Sequence, residues 1–326
     1  MVTAPLKSKT TRLPPFARRF LFTFAGVAGV FAVLSSERFV DFAFGFGDYP
    51  DSFYAPRDFP LEQDRIIALS EWGETPLPAH IKQSSGLDIT NGYFAIATDK
   101  ASVHWGQQGT NASAPLAPLA ERTLLRRPLA LRQGYLEALA LGPTPQTVFA
   151  MGGSNQLHQI TVTQSGLKTE SVTTLQIPSS EGQAPEVVGL AYNKASDSLF
   201  VGYSRFDDSG VGVSEFSLSG EFIRALELTA PNMSQTETKE RLANANVSGL
   251  TFVDQTLVIL SDRHSSLIWA NPTTGEIERV WGIDGLRDLS AISYDNGALY
   301  LMQDHEYYQE TPPLRVLPLE QPAANS

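Results

Sequence analysis

From about residue 65 the chain alternates short apolar runs with clusters of Gly, Asn, Asp and Ser, and it shows almost no 3.6-residue periodicity. That pattern predicts strands joined by tight turns. Five segments share one register: Ser85-Gly-Leu-Asp-Ile, Glu137-Ala-Leu-Ala-Leu, Val188-Gly-Leu-Ala-Tyr, Ser248-Gly-Leu-Thr-Phe and Ser290-Ala-Ile-Ser-Tyr. The small residues Gly86, Ala138, Gly189, Gly249 and Ala291 are 52, 51, 60 and 42 positions apart. A second run follows each time, at 93–97, 148–151, 199–203, 257–260 and 299–302, apolar at consecutive positions as in a strand buried on both faces. Hairpins come next, with Ser219-Gly220 and Thr274-Gly275 at their turns.

Four strands per repeat of 40–50 residues is the pattern of a β-propeller. Small residues at the start of each first strand suit inner strands crowded around a narrow axis. A stacked pair of β-sandwich sheets is the alternative, but it does not account for one register recurring five times. The reading is therefore all-β: a propeller of five four-stranded blades, or six if residues 40–64 join the ring. The last repeat reaches only a third strand, at 314–319. The isolated run Arg65-Ile-Ile-Ala-Leu-Ser70 is predicted to close the ring by pairing with that blade, which removes the open edge.

The N-terminal end differs. Five basic residues (Lys7, Lys9, Arg12, Arg18 and Arg19) precede the first acid, Glu37, and residues 20–34 carry no charge. A basic flank before an apolar run orients the N-terminus toward the cytoplasm. The preferred reading is a signal anchor, a transmembrane helix over 20–36. A cleaved signal peptide with a weak site near Val33-Leu34-Ser35 and a buried core helix are the alternatives. The organisation is then a leader (1–19), an anchor (20–36), a linker (37–64), a propeller (65–320) and a tail (321–326). The formal charge of −11 is the sum of a basic leader and a −16 remainder, 19 basic against 35 acidic side chains. An acidic body argues against nucleic-acid binding. The absence of cysteine excludes disulfides, thiolate metal sites and a cysteine nucleophile.

The motifs Ser248-Gly-Leu-Thr-Phe, Leu260-Ser-Asp-Arg263 and Thr274-Gly-Glu-Ile resemble the SdiA-regulated family of bacterial β-propellers, over about residues 65–320. Alanine stands at 138 and 291, where that family tends to have glycine. The resemblance implies a body held at the inner membrane by a single N-terminal span and facing the periplasm, or a secreted body if the segment is cleaved. It implies location and shape more than a reaction.

The aligned repeats also locate candidate chemistry. Three residues before each small residue stand Gln83, Tyr135, Glu186, Asn246 and Asp288; one residue before stand Ser85, Glu137, Val188, Ser248 and Ser290. In a propeller these positions approach one mouth of the channel. Glu137, Glu186, Asn246 and Asp288 are candidate ligands for Ca²⁺, which accepts 6–8 oxygens in loose geometry; a solvated polar mouth is the plainer reading. Asp99, Asp262 and Asp304 recur 13 residues after their small residue and read as turn caps. Beside them the residues vary from blade to blade. Lys100, Arg205, Arg263, His264 and His305, with Tyr135, form a candidate ligand-binding face. The longer third repeat predicts a short helix over 236–245 with Thr236 or Thr238 as N-cap.

Two functions follow. One is a membrane-anchored binding module for an envelope protein or small ligand. The other is a Ca²⁺-dependent phosphoesterase or lactonase-like hydrolase, with Glu137 or Glu186 as general base. No nucleophile elbow, His-Glu-x-x-His, P-loop or dinucleotide motif is present.

Overall fold

The computed structural model describes residues 59–77, 81, 84–98, 101–108, 117–123, 136–152, 155–178, 185–204, 211–304 and 312–319, without the side chains of 117–123, Glu186, Ser204 and Asn244. The leader, the proposed anchor, the linker as far as residue 58 and the tail lie outside the described residues. Among the described residues no helix is long and apolar enough to cross a membrane.

Two short strands come first, β1 (Arg65–Ile67) and β2 (Gly73–Thr75). Five groups follow. They are β3 (Ser84–Thr90), β4 (Tyr93–Thr98), β5 (Ser102–Gln107) and β6 (Ala117–Thr123); β7 (Leu136–Leu141), β8 (Thr147–Gly152), β9 (Gln156–Thr163) and β10 (Gly166–Thr174); β11 (Glu186–Asn193), β12 (Ser198–Ser204), β13 (Val211–Ser217) and β14 (Phe222–Leu226); β15 (Gly249–Val253), β16 (Thr256–Ser261), β17 (Ser266–Ala270) and β18 (Ile277–Ile283); and β19 (Leu289–Asp295), β20 (Ala298–Gln303) and β21 (Leu314–Pro318). Each group is an antiparallel meander in chain order, and these are blades one to five. The inner strands pack in a closed cycle, β3 on β7, β7 on β11, β11 on β15, β15 on β19 and β19 on β3. Among the described residues the ring has five blades.

The strands are apolar on both faces because each blade is sandwiched between two others. Every core cluster spans one neighbouring pair: Phe200 and Leu250 between blades three and four, Leu260 and Leu301 between four and five, Ile89 and Met302 between five and one. The recurring small residues make this possible. A methyl on Gly249 would lie 3.0 Å from Ile292 N and 3.2 Å from Ala291 Cα; one on Gly86 would lie 3.1 Å from Ala138 Cα. The next blade's backbone already occupies the space of a Cβ. At Ala138 and Ala291 the seam accommodates one methyl, and both are buried.

Ring closure follows the predicted principle but uses a different segment. β2 pairs antiparallel with β21, Gly73 opposite Val316 and Thr75 opposite Leu314, and becomes the fourth strand of blade five. β1 instead lies parallel to β18 as a fifth strand of blade four, Arg65 opposite Trp281 and Ile67 opposite Ile283. A single 3-10 turn, Leu69–Glu71, carries the chain from one blade to the next, and the Glu71 carboxylate accepts the Ala68 N–H at 2.9 Å. Of the predicted closing run only Ile67 is buried; Ile66 and Leu69 are 54% and 43% exposed. Gly73–Thr75 escaped the hydrophobic pattern because a three-residue edge strand needs only backbone pairing, one buried threonine and the Glu74–Arg315 ion pair. Phe59 and Leu61, inside the stretch read as linker, are buried against blades three and four.

The predicted helix is present as α1 (Gln235–Arg241), one turn shorter, and continues as a 3-10 turn, Leu242–Asn244. Its N-cap is Ser234 and not a threonine: Ser234 Oγ accepts the Glu237 N–H at 3.2 Å. Thr238 is turned inward, where its hydroxyl donates to Ser234 O and accepts from Ala230 N.

Candidate functional site

The upper mouth is the end of the ring where first strands begin and second strands finish. Its shape starts from a repeated irregularity. The ladder between first and second strands slips at Ser84/Gly86, Leu136/Ala138, Val187/Gly189 and Leu289/Ala291. Ser85, Glu137, Val188 and Ser290 are thus bulge residues, left out of the ladder and turned aside. In blade four the strand begins at the small residue itself, Gly249, and Ser248 N donates to Leu260 O at 2.9 Å just outside it.

The serines at this position serve the ring. Ser85 Oγ donates to Leu136 O of blade two, and Ser290 Oγ lies 3.4 Å from Ser84 O of blade one. Glu137 is half-buried at the equivalent place in blade two. Glu186 begins β11 in blade three, and its side chain is outside the described set.

The mouth is fully described in blade four. Asn246 Oδ1 accepts Ser261 Oγ and Arg263 N, each at 3.1 Å, and its amide donates to the Asp262 carboxylate. Asn246 therefore holds the β16–β17 turn, and its carbonyl oxygen is already engaged twice. Asp262 was read as a turn cap, and its carboxylate also receives the Arg263 N–H. Burial pushes its pKa up, and the Asp288 charge adds to the rise. Asp288 sits in the left-handed region at φ 52, and its carbonyl accepts Asp304 N at 2.6 Å. Its own pKa is raised by burial and then by the Asp304 charge, with Arg287 opposing. Three carboxylates thus form an electrostatically linked lip across blades four and five. Among the described residues, no three His, Asp or Glu side chains converge as a metal-holding group.

Of the proposed binding face, Arg263 is exposed beside this lip. His264 is half-buried and meets Phe59 edge-on, ring centroids 5.4 Å apart and planes at 83°, so it packs on the entering chain. Tyr135, Lys100, Arg205 and His305 lie outside the described residues.

Sequence reasoning passed over the polar seam lower in the ring. Asp88 Oδ2 accepts Leu141 N of blade two and Oδ1 accepts Ser293 Oγ of blade five, both at 2.7 Å. Asp295 accepts Asn91 N and Gly92 N from blade one at 2.8 and 3.1 Å. The signal was present in the repeat alignment: Asp88 stands where the other blades have Ala140, Ala191, Thr251 and Ser293. A second network joins blades three and four. Buried Glu215 accepts Ser198 Oγ and Arg224 Nε, and Arg224 donates onward to Pro272 O and Thr273 O.

No family model matches the chain, and no curated protein matches it in sequence. The crystal structure of Myxococcus xanthus glutaminyl cyclase is similar at 14% identity and a TM-score of 0.51, covering 78% of this chain and 97% of that one. The PQQ-bound aldose sugar dehydrogenase of Streptomyces coelicolor is 11% identical, covering 79% and 97% at a TM-score of 0.45. The Cps50 (Swd1) β-propeller domain of Myceliophteria thermophila is 12% identical, covering 74% and 85% at 0.41. At such identities the likeness concerns fold alone, and the closed cycle of five inner strands is by itself that of a β-propeller.

Proposed function

We propose that this chain is an exported binding module, tethered to the inner membrane by residues 20–36, whose upper mouth receives an envelope protein or small ligand bearing positive charge. The observation that carries the reading is the linked acidic lip, Asp262, Asp288 and Asp304, contributed by two adjacent blades and set on turns held by backbone bonds. Burial, and after it a neighbouring carboxylate, raises the pKa of Asp262 and of Asp288, and a cation at the lip relieves that repulsion. The −16 body adds long-range attraction for such a ligand.

The test is a photocrosslinking residue in place of Arg263 at the upper mouth, against one in place of Asn296 on the opposite hairpin face. Discrete adducts from position 263 alone support the reading, while matching adducts from both faces or none from 263 overturn it. Carbonate extraction of membranes, with sequencing of the mature N-terminus, tests the tether; a start near Ser36 shows cleavage instead.

A second reading is a Ca²⁺-dependent hydrolase, because Glu137, Glu186 and Asp288 occupy equivalent or near-equivalent registers at the start of the inner strands of blades two, three and five. Thermal unfolding in EDTA and then with added Ca²⁺ decides it, since a ligand of the native state raises the transition. An unchanged transition at millimolar Ca²⁺ removes this reading.

A further inference from the structure

Three blades meet at the carboxyl group of Asp88, which stands on the inner strand of blade one. Leu141 N reaches it from blade two and Ser293 Oγ from blade five. Ser293 Oγ also receives the Ile89 N–H at 2.8 Å and lies 3.3 Å from Ile89 O. The serine hydroxyl therefore has two acceptors within reach, the carboxylate and a backbone carbonyl.

That arrangement satisfies either charge state. With Asp88 ionised, Leu141 N–H and the Ser293 hydroxyl both donate to it. With Asp88 protonated, its O–H donates to Ser293 Oγ, the serine proton turns to Ile89 O, and Leu141 N–H keeps Oδ2 as acceptor. Serine oxygen has two lone pairs, so it can accept from Ile89 N and Asp88 together. No buried polar group in the cluster loses its partner in either state, and the proton enters by rotation of one hydroxyl.

We propose that Asp88 is a proton-operated clasp that joins blades five, one and two, gripping more tightly when protonated than when ionised. Burial pushes the Asp88 pKa up to about 6, the Asp295 charge adds to the rise, and the bonds from Leu141, Ser293 and Ile89 oppose it. The elements packed against β3 are β4, β7, β19 and β20. β4 and β20 carry no charged residue, β19 carries Asp295, and β7 carries Glu137 near its opposite end. No positive group on these elements compensates the buried charge.

The direction is fixed by linkage. The folded pKa lies above the unfolded value of 3.8, so between about pH 4 and 6 the folded ring holds the proton that the unfolded chain releases. The clasp's contribution is fully present below about pH 4 and is lost as pH rises through about 6.

The test is urea unfolding of the full-length chain in mild non-ionic detergent, wild type against Asp88→Asn, from pH 4 to pH 7. The ratio of the two folding constants, wild type over variant, falls by up to about a hundredfold across that range. A ratio constant within about twofold overturns the proposal. Should Asp88→Asn fail to fold, ¹³C-carboxyl NMR of wild type and Ser293→Ala provides the reading. Removing a donor to the carboxylate moves the Asp88 midpoint upward from about 6. An unmoved midpoint, or a wild-type midpoint near 4, overturns it.

Discussion

The inner seam between blades three and four and the seam between blades five and one do the same geometric job with different chemistry. The first is apolar: Leu250 of blade four lies over Gly189 and Gly202 of blade three, 3.0 and 3.1 Å from where their methyls would be. The second is laced with hydrogen bonds. Ser290 reaches Ser84 O, Ser293 serves both Ile89 and Asp88, and Asp295 collects two amides of the Asn91-Gly92 turn. Blades three and four follow one another in the chain, whereas the bonds of the closing seam join residues 203–206 positions apart. Apolar burial is non-directional and asks only for volume. A hydrogen bond asks for one partner in one direction, and leaving a buried one unmade is costly. In the closing seam, which has no short connection to impose its register, directional bonds specify it.

The largest expected effect tests the apolar side. Leu250→Ala empties the hollow over Gly189 and Gly202 and destabilises the ring by about 2–5 kcal/mol, read as a lower urea midpoint with the slope unchanged. Gly249→Ala acts in the opposite sense by adding a methyl where Ile292 N stands 3.0 Å away. Backbone cannot step aside as a side-chain end can, so the cost is about 1–3 kcal/mol. An alanine in place of Lys194, on the exposed β11–β12 turn, leaves the midpoint within about 0.5 kcal/mol.

On the polar side, Asp295→Ala strands the amides of Asn91 and Gly92 and costs about 1–2 kcal/mol. Hydrogen exchange separates the two kinds of seam. Asp295→Ala speeds exchange at residues 91 and 92 well before global unfolding, whereas Leu250→Ala speeds it across blades three and four together. Equal patterns would remove the distinction.

The smallest effect is a pH slope. His158, on β9 opposite Ala150, is buried with no hydrogen-bond partner at Nε2 among the described residues, and burial holds its pKa below the usual 6.5. The folded state therefore binds fewer protons than the unfolded chain, so stability is lost as pH falls below about 6.5. His158→Leu flattens that acid limb while leaving the neutral-pH midpoint nearly unchanged. Asp88 slopes the other way, so the two variants displace the stability profile in opposite directions.

The repeat register, the five inner strands and the small residues between them were readable because each is a local pattern forced by packing on both faces. The closing strand was not. Arg65–Ser70 looks like a strand and Gly73–Thr75 does not, yet the latter completes blade five. Its place depends on a turn at Leu69–Glu71 that delivers it to β21. At the mouth, the alignment singled out position 246 and the recurring aspartate at 262, which the structure brings into hydrogen-bond contact. It did not reveal that Asn246 would spend its oxygen on Ser261 and Arg263, because residue type names a donor or acceptor without naming its partner.

What the amino-acid order settles is periodicity: which residues face a neighbour, how often the unit repeats, and where the chain changes from a basic apolar leader to an acidic body. What folding in three dimensions adds is adjacency between distant positions. Asp88 acquires its raised pKa only when the neighbouring blades bury it and the Asp295 charge adds to the rise, and Asp262 acquires its own only through burial, to which the Asp288 charge of the next blade adds. Hydrophobic pattern is a property of a segment, whereas desolvation and charge–charge coupling belong to a location, and that location exists only after the ring has closed.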